Sequence, residues 1–267
     1  MSASYLDGIL AFHRARSAGD VRDVDELAEQ AGAATEPVRD FSAALRSGGG
    51  PRSPAVIAEI KRRSPSKGNL AIDLEPGVVA LDFEGGGAAA LSVLTDATHF
   101  AGSAPDLALA RAATRLPVLR KDFTVSEKDI YDARLMGADA VLLIVSALSD
   151  DELARFVKVA EDLGLAALVE VHDLSEADRA LGAGASLIGV NQRDLRTFEV
   201  DTARAIALAE ALGGREVLKV AESGIRNASD VQALGEAGYD AVLVGETLVT
   251  SADRGAAVRA LTVGAGR

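Results

Sequence analysis

The sequence predicts an α/β protein, a single (β/α)8 barrel carrying an N-terminal helical extension. Three observations point there. Eight short β-rich runs are separated by Ala-, Leu- and Glu-rich stretches with helical spacing. The repeat averages roughly 25 residues per strand-helix unit, which suits a closed barrel of about 250 residues. Glycine stands between helix and strand at Gly137, Gly164 and Gly238, where it supplies a left-handed helix cap. The chain has 267 residues, 48% hydrophobic and 25% charged. That composition excludes disorder and fibre, and leaves enough chain to bury roughly three quarters of its unfolded surface.

In chain order, residues 4–17 place Leu6, Ile9 and Leu10 on one helical stripe behind a Ser4 cap, and Val24 to Ala31 form a second short helix. Ser47-Gly48-Gly49-Gly50-Pro51 reads as a hinge or linker that cannot hold a regular element. Residues 1–50 are therefore an extension and linker within the same domain, and 51–267 are the barrel. Strands are expected at Ala55–Lys61, Ala89–Leu94, Pro117–Phe123, Asp139–Val145, Ala166–His172, Ser186–Asn191, Val217–Glu222 and Asp240–Gly245. Asp150–Leu163 and Asp201–Leu212 are two of the helices between them. Eight such units favour closure into a TIM barrel over an open doubly wound sheet. No Gly-x-Gly-x-x-Gly follows the first strand, and Gly85-Gly86-Gly87 ends a helix instead.

Charge and composition narrow the function. Forty acidic against 28 basic residues give a net charge of −12, which opposes binding to nucleic acid or an anionic membrane. An anionic ligand needs a locally positive site. There is no cysteine, so disulfides, thiolate metal ligands and cysteine nucleophiles are excluded, and three histidines make a histidine-rich metal cluster a poor expectation. The N-terminus lacks a basic stretch followed by an apolar core, and no apolar run approaches the length of a membrane span, so a cytoplasmic protein is expected.

Side chains alternate along a strand, so residues of equal parity share the barrel interior. Ile57, Glu59 and Lys61 share one face; so do Leu119 and Lys121, Leu168 and Glu170, Gly189 and Asn191, and Val220 and Glu222. Each interior set ends in a polar or charged group at the C-terminal end of its strand, where barrel enzymes keep their active sites. Any one of these alone reads more readily as a solvated strand end; five strands converging do not. Glycine turns after the seventh and eighth strands, Ser223-Gly224 and Gly245-Glu246, add a candidate phosphate site built from backbone N–H groups. Glu246 would repel a phosphate unless its side chain turned away. Lys61-Arg62-Arg63-Ser64-Pro65-Ser66-Lys67-Gly68-Asn69 forms a basic, irregular flap able to close over an anion. Arg120 and Lys219 have the opposite parity and are expected to snorkel past the helices. His172 reads as a hydrogen-bonded structural histidine, and His13 and His99 point to no function.

At these residues the chain resembles the indole-3-glycerol phosphate synthase family. Glu59-Ile60-Lys61-Arg62-Arg63-Ser64-Pro65-Ser66, Ser92-Val93-Leu94-Thr95-Asp96, Leu119-Arg120-Lys121-Asp122-Phe123, Leu168-Val169-Glu170-Val171-His172, Ile188-Gly189-Val190-Asn191-Gln192-Arg193-Asp194-Leu195 and Glu222-Ser223-Gly224-Ile225 are similar to its successive motifs and together span most of the chain. Gln192 stands where many relatives have a second Asn, and Glu246 where others have Ser. The resemblance implies an extension packed at the active-site end of the barrel, and conversion of 1-(2-carboxyphenylamino)-1-deoxyribulose 5-phosphate to indole-3-glycerol phosphate with loss of carbon dioxide and water, in tryptophan biosynthesis. It implies no metal and no organic cofactor. It implies Lys121 as general acid, Glu170 as a second proton-transfer or electrostatic group, and Glu59 and Asn191 beside them. Lys61, Ser64, Arg193, Glu222, Ser223, Gly224, Gly245 and Glu246 are then expected to bind the substrate.

Three other readings stay open on sequence: an aldolase with a Schiff base on Lys121 or Lys61, a sugar-phosphate isomerase using the same phosphate turns, and a phosphate-binding barrel with no activity. Oligomeric state and protein partners are not legible.

Overall fold

In the computed structural model, which describes residues 5–50, 52–193 and 200–262, the eight expected strands close into one parallel barrel in sequential order. The Ser4 cap, Pro51 and the Asp194-Leu195 end of the fifth motif lie outside the described residues. Three helices come first: α1 (Tyr5–Ala18), α2 (Val24–Gly32) and α3 (Phe41–Gly48). Then follow β1 (Ala55–Ile60), a hairpin of β2 (Arg63–Ser64) and β3 (Gly68–Asn69), α4 (Pro76–Gly85), β4 (Ala90–Leu94), α5 (Ala97–Phe100), α6 (Ala104–Ala113), β5 (Val118–Lys121) and α7 (Glu127–Leu135). The second half runs β6 (Ala140–Ile144), α8 (Asp150–Asp162), β7 (Ala166–Val171), α9 (Leu174–Gly182), β8 (Leu187–Asn191), α10 (Thr202–Ala211), β9 (Leu218–Glu222), α11 (Ala228–Glu236), β10 (Ala241–Val244), α12 (Glu246–Val249) and α13 (Arg254–Thr262). No helix among the described residues is long and apolar enough to cross a membrane.

Parity sorts the core into two layers. Ala55, Ile57, Ala90, Leu119, Leu142, Ile144, Leu168, Leu187, Val220, Ala241 and Leu243 fill the interior, while Val56, Ala58, Leu91, Val93, Leu143, Val169, Ile188, Val190, Ala221 and Val242 face the helices. Toward the strands' C-terminal ends this interior gives way to the polar row, with Ile144 and Leu243 level with Glu170 and Glu222. Helix ends are set locally. Ser149 and Glu152 form a capping box on α8, Asp201 caps α10, and Gly137, Gly164 and Gly238 hold positive φ after their helices.

Four expectations change. The Ser47–Gly50 stretch is no free hinge: Ser47 and Gly48 complete α3, a Cβ on Gly48 would lie 2.4 Å from Ala89 Cβ, and Gly50 bridges to Ser53. Close packing, rather than flexibility, is what these glycines supply. The extension does not sit only at the active-site end. Phe41 and Leu45 of α3 join the interior core beside Ala55 and Ala89, at the strands' N-terminal ends, and α1 alone reaches the mouth. The flap is a β2–β3 hairpin with paired backbone, and most of its arginine charge is spent on the protein: Arg62 pairs with Asp106 at 3.0 Å and Arg63 donates to the Thr98 and His99 carbonyls. Arg120 does not snorkel; it is buried, donating to Asp122, Thr95 and the Asp129 carbonyl.

Candidate active site

Register places the polar row. Glu170 lies beside Ile144 and Gly189, Glu222 beside Asn191 and Leu243, and Lys121 beside Leu94. Leu94, Lys121, Ile144, Glu170, Asn191, Glu222 and Leu243 reach one cavity of about 1040 Å³ at the C-terminal end of the barrel. Glu59, Lys61, Ser64, Lys121, Glu170, Asn191, Arg193, Glu222, Ser223, Gly224, Gly245 and Glu246 all line it.

Lys121 is the hub. Its Nζ donates to Glu170 Oε2 at 3.2 Å and, more closely, to Glu222 Oε2. Burial disfavours the ammonium, but Glu222, Glu170 and Glu59 outweigh it and hold its pKa above the ordinary lysine value. Burial likewise works against the Glu170 carboxylate; Lys121, His172 and the Asn191 amide outweigh it, leaving its pKa below the usual range. Glu222 goes the other way, pushed up to about 7 by burial, with Glu170 and Glu59 adding repulsion to what Lys121 offsets. Glu170 and Glu222 share one ammonium, and of the two it is the Glu222 carboxyl that is raised.

The supporting contacts fix geometry. Asn191 Nδ2 donates to Glu170 Oε1 at 3.2 Å while its Oδ1 accepts from the Arg193 backbone N–H at 3.0 Å, so the amide is held at both ends. Lys61 Nζ donates to Glu59 Oε1, and a Cβ on Gly245 would lie 2.3 Å from that oxygen. A Cβ on Gly189 would lie 2.2 Å from Glu222 Oε1. Both glycines thus leave room for carboxylates.

The glycine turns take shape at the strand ends. Ser223 and Gly224 have φ of 67° and 75°, consecutive left-handed residues that turn backbone N–H groups to one side. Thr247 Oγ1 donates to the Ile225 carbonyl at 3.1 Å, tying this turn to Gly245-Glu246. The Glu246 carboxylate lies 3.9 Å from Lys67 Nζ on the hairpin. Among the basic residues of the flap, Lys61 and Lys67 line the cavity.

The sequence reading missed two things. One is the apolar wall, made by Tyr5, Leu6 and Ile9 of α1 with Phe100, Phe123, Leu142, Ile144 and Leu243; parity could have supplied the last three. The other is histidine. His13 Nε2 and His99 Nδ1 meet Asp96 Oδ2 at 2.7 and 3.0 Å, behind the aromatic wall. Among the described residues this is one trio of the type that can hold a metal ion; its members are hydrogen-bonded to one another. His172 stands next to Glu170, its Nε2 3.6 Å from Glu170 Oε1.

Comparison with known proteins bears on the fold and the family. The chain is similar in fold to KGPDC from Streptococcus mutans, with a TM-score of 0.62 at 12% identity over 79% of this chain and 96% of that one. It is similar also to thiamine phosphate pyrophosphorylase from Pyrococcus furiosus, with a TM-score of 0.58 at 17% identity over 79% and 94%. At these identities only the fold is shared. In sequence it is 53% identical over 233 residues to an indole-3-glycerol phosphate synthase of Micrococcus luteus, covering 85% of each chain. It is 50% identical over 267 residues to one from Mycolicibacterium vanbaalenii, covering 99% of this chain and 96% of the relative. The family model for indole-3-glycerol phosphate synthase matches residues 9–261. With a closed barrel, a charged mouth and near-full-length similarity all in agreement, the chain belongs to the indole-3-glycerol phosphate synthase family.

Proposed function

We propose that this mouth closes the ring of 1-(2-carboxyphenylamino)-1-deoxyribulose 5-phosphate to give indole-3-glycerol phosphate, carbon dioxide and water, with Lys121 as general acid. The observation that carries this reading is the Lys121 ammonium, held by Glu170 and Glu222 in a cavity with an apolar wall and glycine turns at its rim. The backbone N–H groups at Ser223-Gly224 and Gly245-Glu246 receive the phosphate, and Lys61 adds positive charge. Arg193 takes another anionic group of the substrate, Ser64 and Glu222 complete the rim, and the aromatic ring lies against the apolar wall.

Ring closure joins the ring carbon bearing the carboxylate to the ketone carbon. The ketone oxygen becomes strongly basic as that bond forms, and Lys121 protonates it. Attack at this carbon leaves an iminium-like cation, so the substrate's own nitrogen supplies the electron sink for loss of carbon dioxide. Dehydration then needs an acid for the departing hydroxyl and a base for a carbon-bound proton. Glu170, kept ionised and held by Asn191, is the base; Glu59 keeps Lys61 in register.

A Schiff-base mechanism requires a neutral amine. The carboxylates that retain the proton on Lys121 work against it, and borohydride with substrate should trap no adduct. Residues 1–50 act with the barrel as one domain in this reading, since α1 walls the cavity. A cytoplasmic location without nucleic-acid or membrane partners goes with it too, supported by the acidic net charge.

The test is to supply the anilino-ribulose phosphate and follow indole fluorescence and carbon dioxide together. Both should appear in equal amounts. An isomerised sugar phosphate without carbon dioxide would favour the isomerase reading, and binding without turnover the inactive barrel.

A further inference from the structure

His172 follows β7, two residues after Glu170, and is largely buried. Its two ring nitrogens meet different carboxylates. Nδ1 lies 3.0 Å from Glu176 Oε2, the oxygen that also accepts the His172 backbone N–H at 2.7 Å. That double contact fixes the ring and keeps a proton on Nδ1. Nε2 is thereby aimed at Glu170, 3.6 Å from Oε1, and is buried with no hydrogen-bond partner among the described residues. A bare lone pair facing an ionised carboxylate in a dry site would be repulsive; a proton on Nε2 makes the same contact attractive.

The charged groups that face the ring favour that proton. Glu170 comes from β7, Glu176 from α9 and Glu222, farther off, from β9. The Val145–Ala147 turn packed against β7 and α9 brings no titratable side chain. Burial opposes the charge, and the three carboxylates outweigh it.

We propose that His172 is a positioning residue for Glu170: an imidazolium anchored by Glu176 that holds the Glu170 carboxylate in its ionised form, ready to accept a proton. The inference rests on the reading of Glu170 as the base of the dehydration step. It gives the Glu170-Val171-His172 segment a physical logic, since residues two apart on a strand share a face and the second can stand behind the first. It also assigns work to Glu176, which does not line the cavity.

The experiment is a pH profile of kcat/KM and kcat for His172→Asn, His172→Gln and Glu170→Gln. His172→Asn keeps an amide N–H for Glu176 and removes one of the two cations beside Glu170, leaving the Lys121 ammonium in place. Its acid limb should move to higher pH by about one unit or more, because an opposite charge at such a distance lowers a carboxylate pKa by about one to three units. KM should change less than twofold, and kcat should fall by up to about tenfold at pH values below the parent's acid limb, with recovery as pH rises past the variant's. His172→Gln, which offers Glu170 a neutral donor, should shift less. Should His172→Asn fail to fold, Glu176→Gln decides instead: it keeps an acceptor, loses the charge, and should move the acid limb the same way. An acid limb that stays in place in these variants, whatever happens to kcat, overturns the proposal. Glu170→Gln separates the two levels. If it retains turnover, the assignment of Glu170 as base fails; if it is inactive while the His172 variants keep the parent profile, only the role of His172 fails.

Discussion

Gly189 is the point where the charge cluster presses on the backbone. Its missing side chain is occupied by Glu222, whose Oε1 would sit 2.2 Å from a Cβ there, with Leu168 Cδ1 at 3.2 Å. A methyl group must push the carboxylate off Lys121 or strain β8. Gly189→Ala should therefore cost about 1–3 kcal/mol in urea unfolding and lower kcat, and the cost should shrink when Glu222→Ala is made in the same chain. A double-mutant cycle reads this directly; additive effects would mean that the two residues do not meet. At this scale the sequence was informative wherever parity applied. Glu59, Lys121, Glu170, Asn191 and Glu222 reach the cavity because strand alternation leaves them no other face. His172 was illegible in its environment, since the identity of the group its Nε2 faces depends on the ring's rotation, which Glu176 sets from the next helix.

α1 is held to the mouth through His13, whose ring is fully buried, packs 5.1 Å from Phe123 and hydrogen-bonds Asp96. Burial opposes ionisation of Asp96, but bonds from His13, His99 and the His99 backbone N–H outweigh it, so its carboxyl stays well below the ordinary 3.8. A depressed folded pKa gives stability that is present above the unfolded value and is lost as pH falls through the folded one. Asp96→Asn should thus destabilise the protein by about 3 kcal/mol near pH 7, with the gap from the parent closing as pH drops below 3.8. Urea melts at several pH values check this, and an equal gap at pH 7 and pH 3 would contradict it. Helix lengths, caps and the α1 stripe were readable from local sequence, because capping and periodicity act within a few residues. The partners of α1 were not: His13 and Asp96 are 83 positions apart, and no local pattern links them. The glycines at 48–50 misled for a related reason. A glycine that relaxes a chain and one that lets two segments touch look alike until the second segment, here Ala89, is in place.

For the whole molecule, eight units of alternating strand and helix determine closure, and closure brings residues from distant positions to one mouth. The other end is closed by α3, where Phe41 and Leu45 cap the interior. Phe41→Ala should cost about 3–5 kcal/mol in unfolding while leaving KM near the parent value, since Phe41 is at the base and the substrate site is at the mouth. A raised KM at unchanged stability would place α3 elsewhere. That the barrel was foreseeable and its base was not follows from the same physics: a repeat announces itself by period, whereas a single helix used as a plug carries only its own amphipathic stripe. Ring closure turns on Lys121 as the proton donor. The most direct measurement is steady-state turnover of Lys121→Met on the anilino-ribulose phosphate, alongside the affinity of a reduced, unreactive substrate analogue. We expect kcat to fall about a hundredfold or more with analogue binding largely kept; turnover within a few-fold of the parent would remove Lys121 from this role.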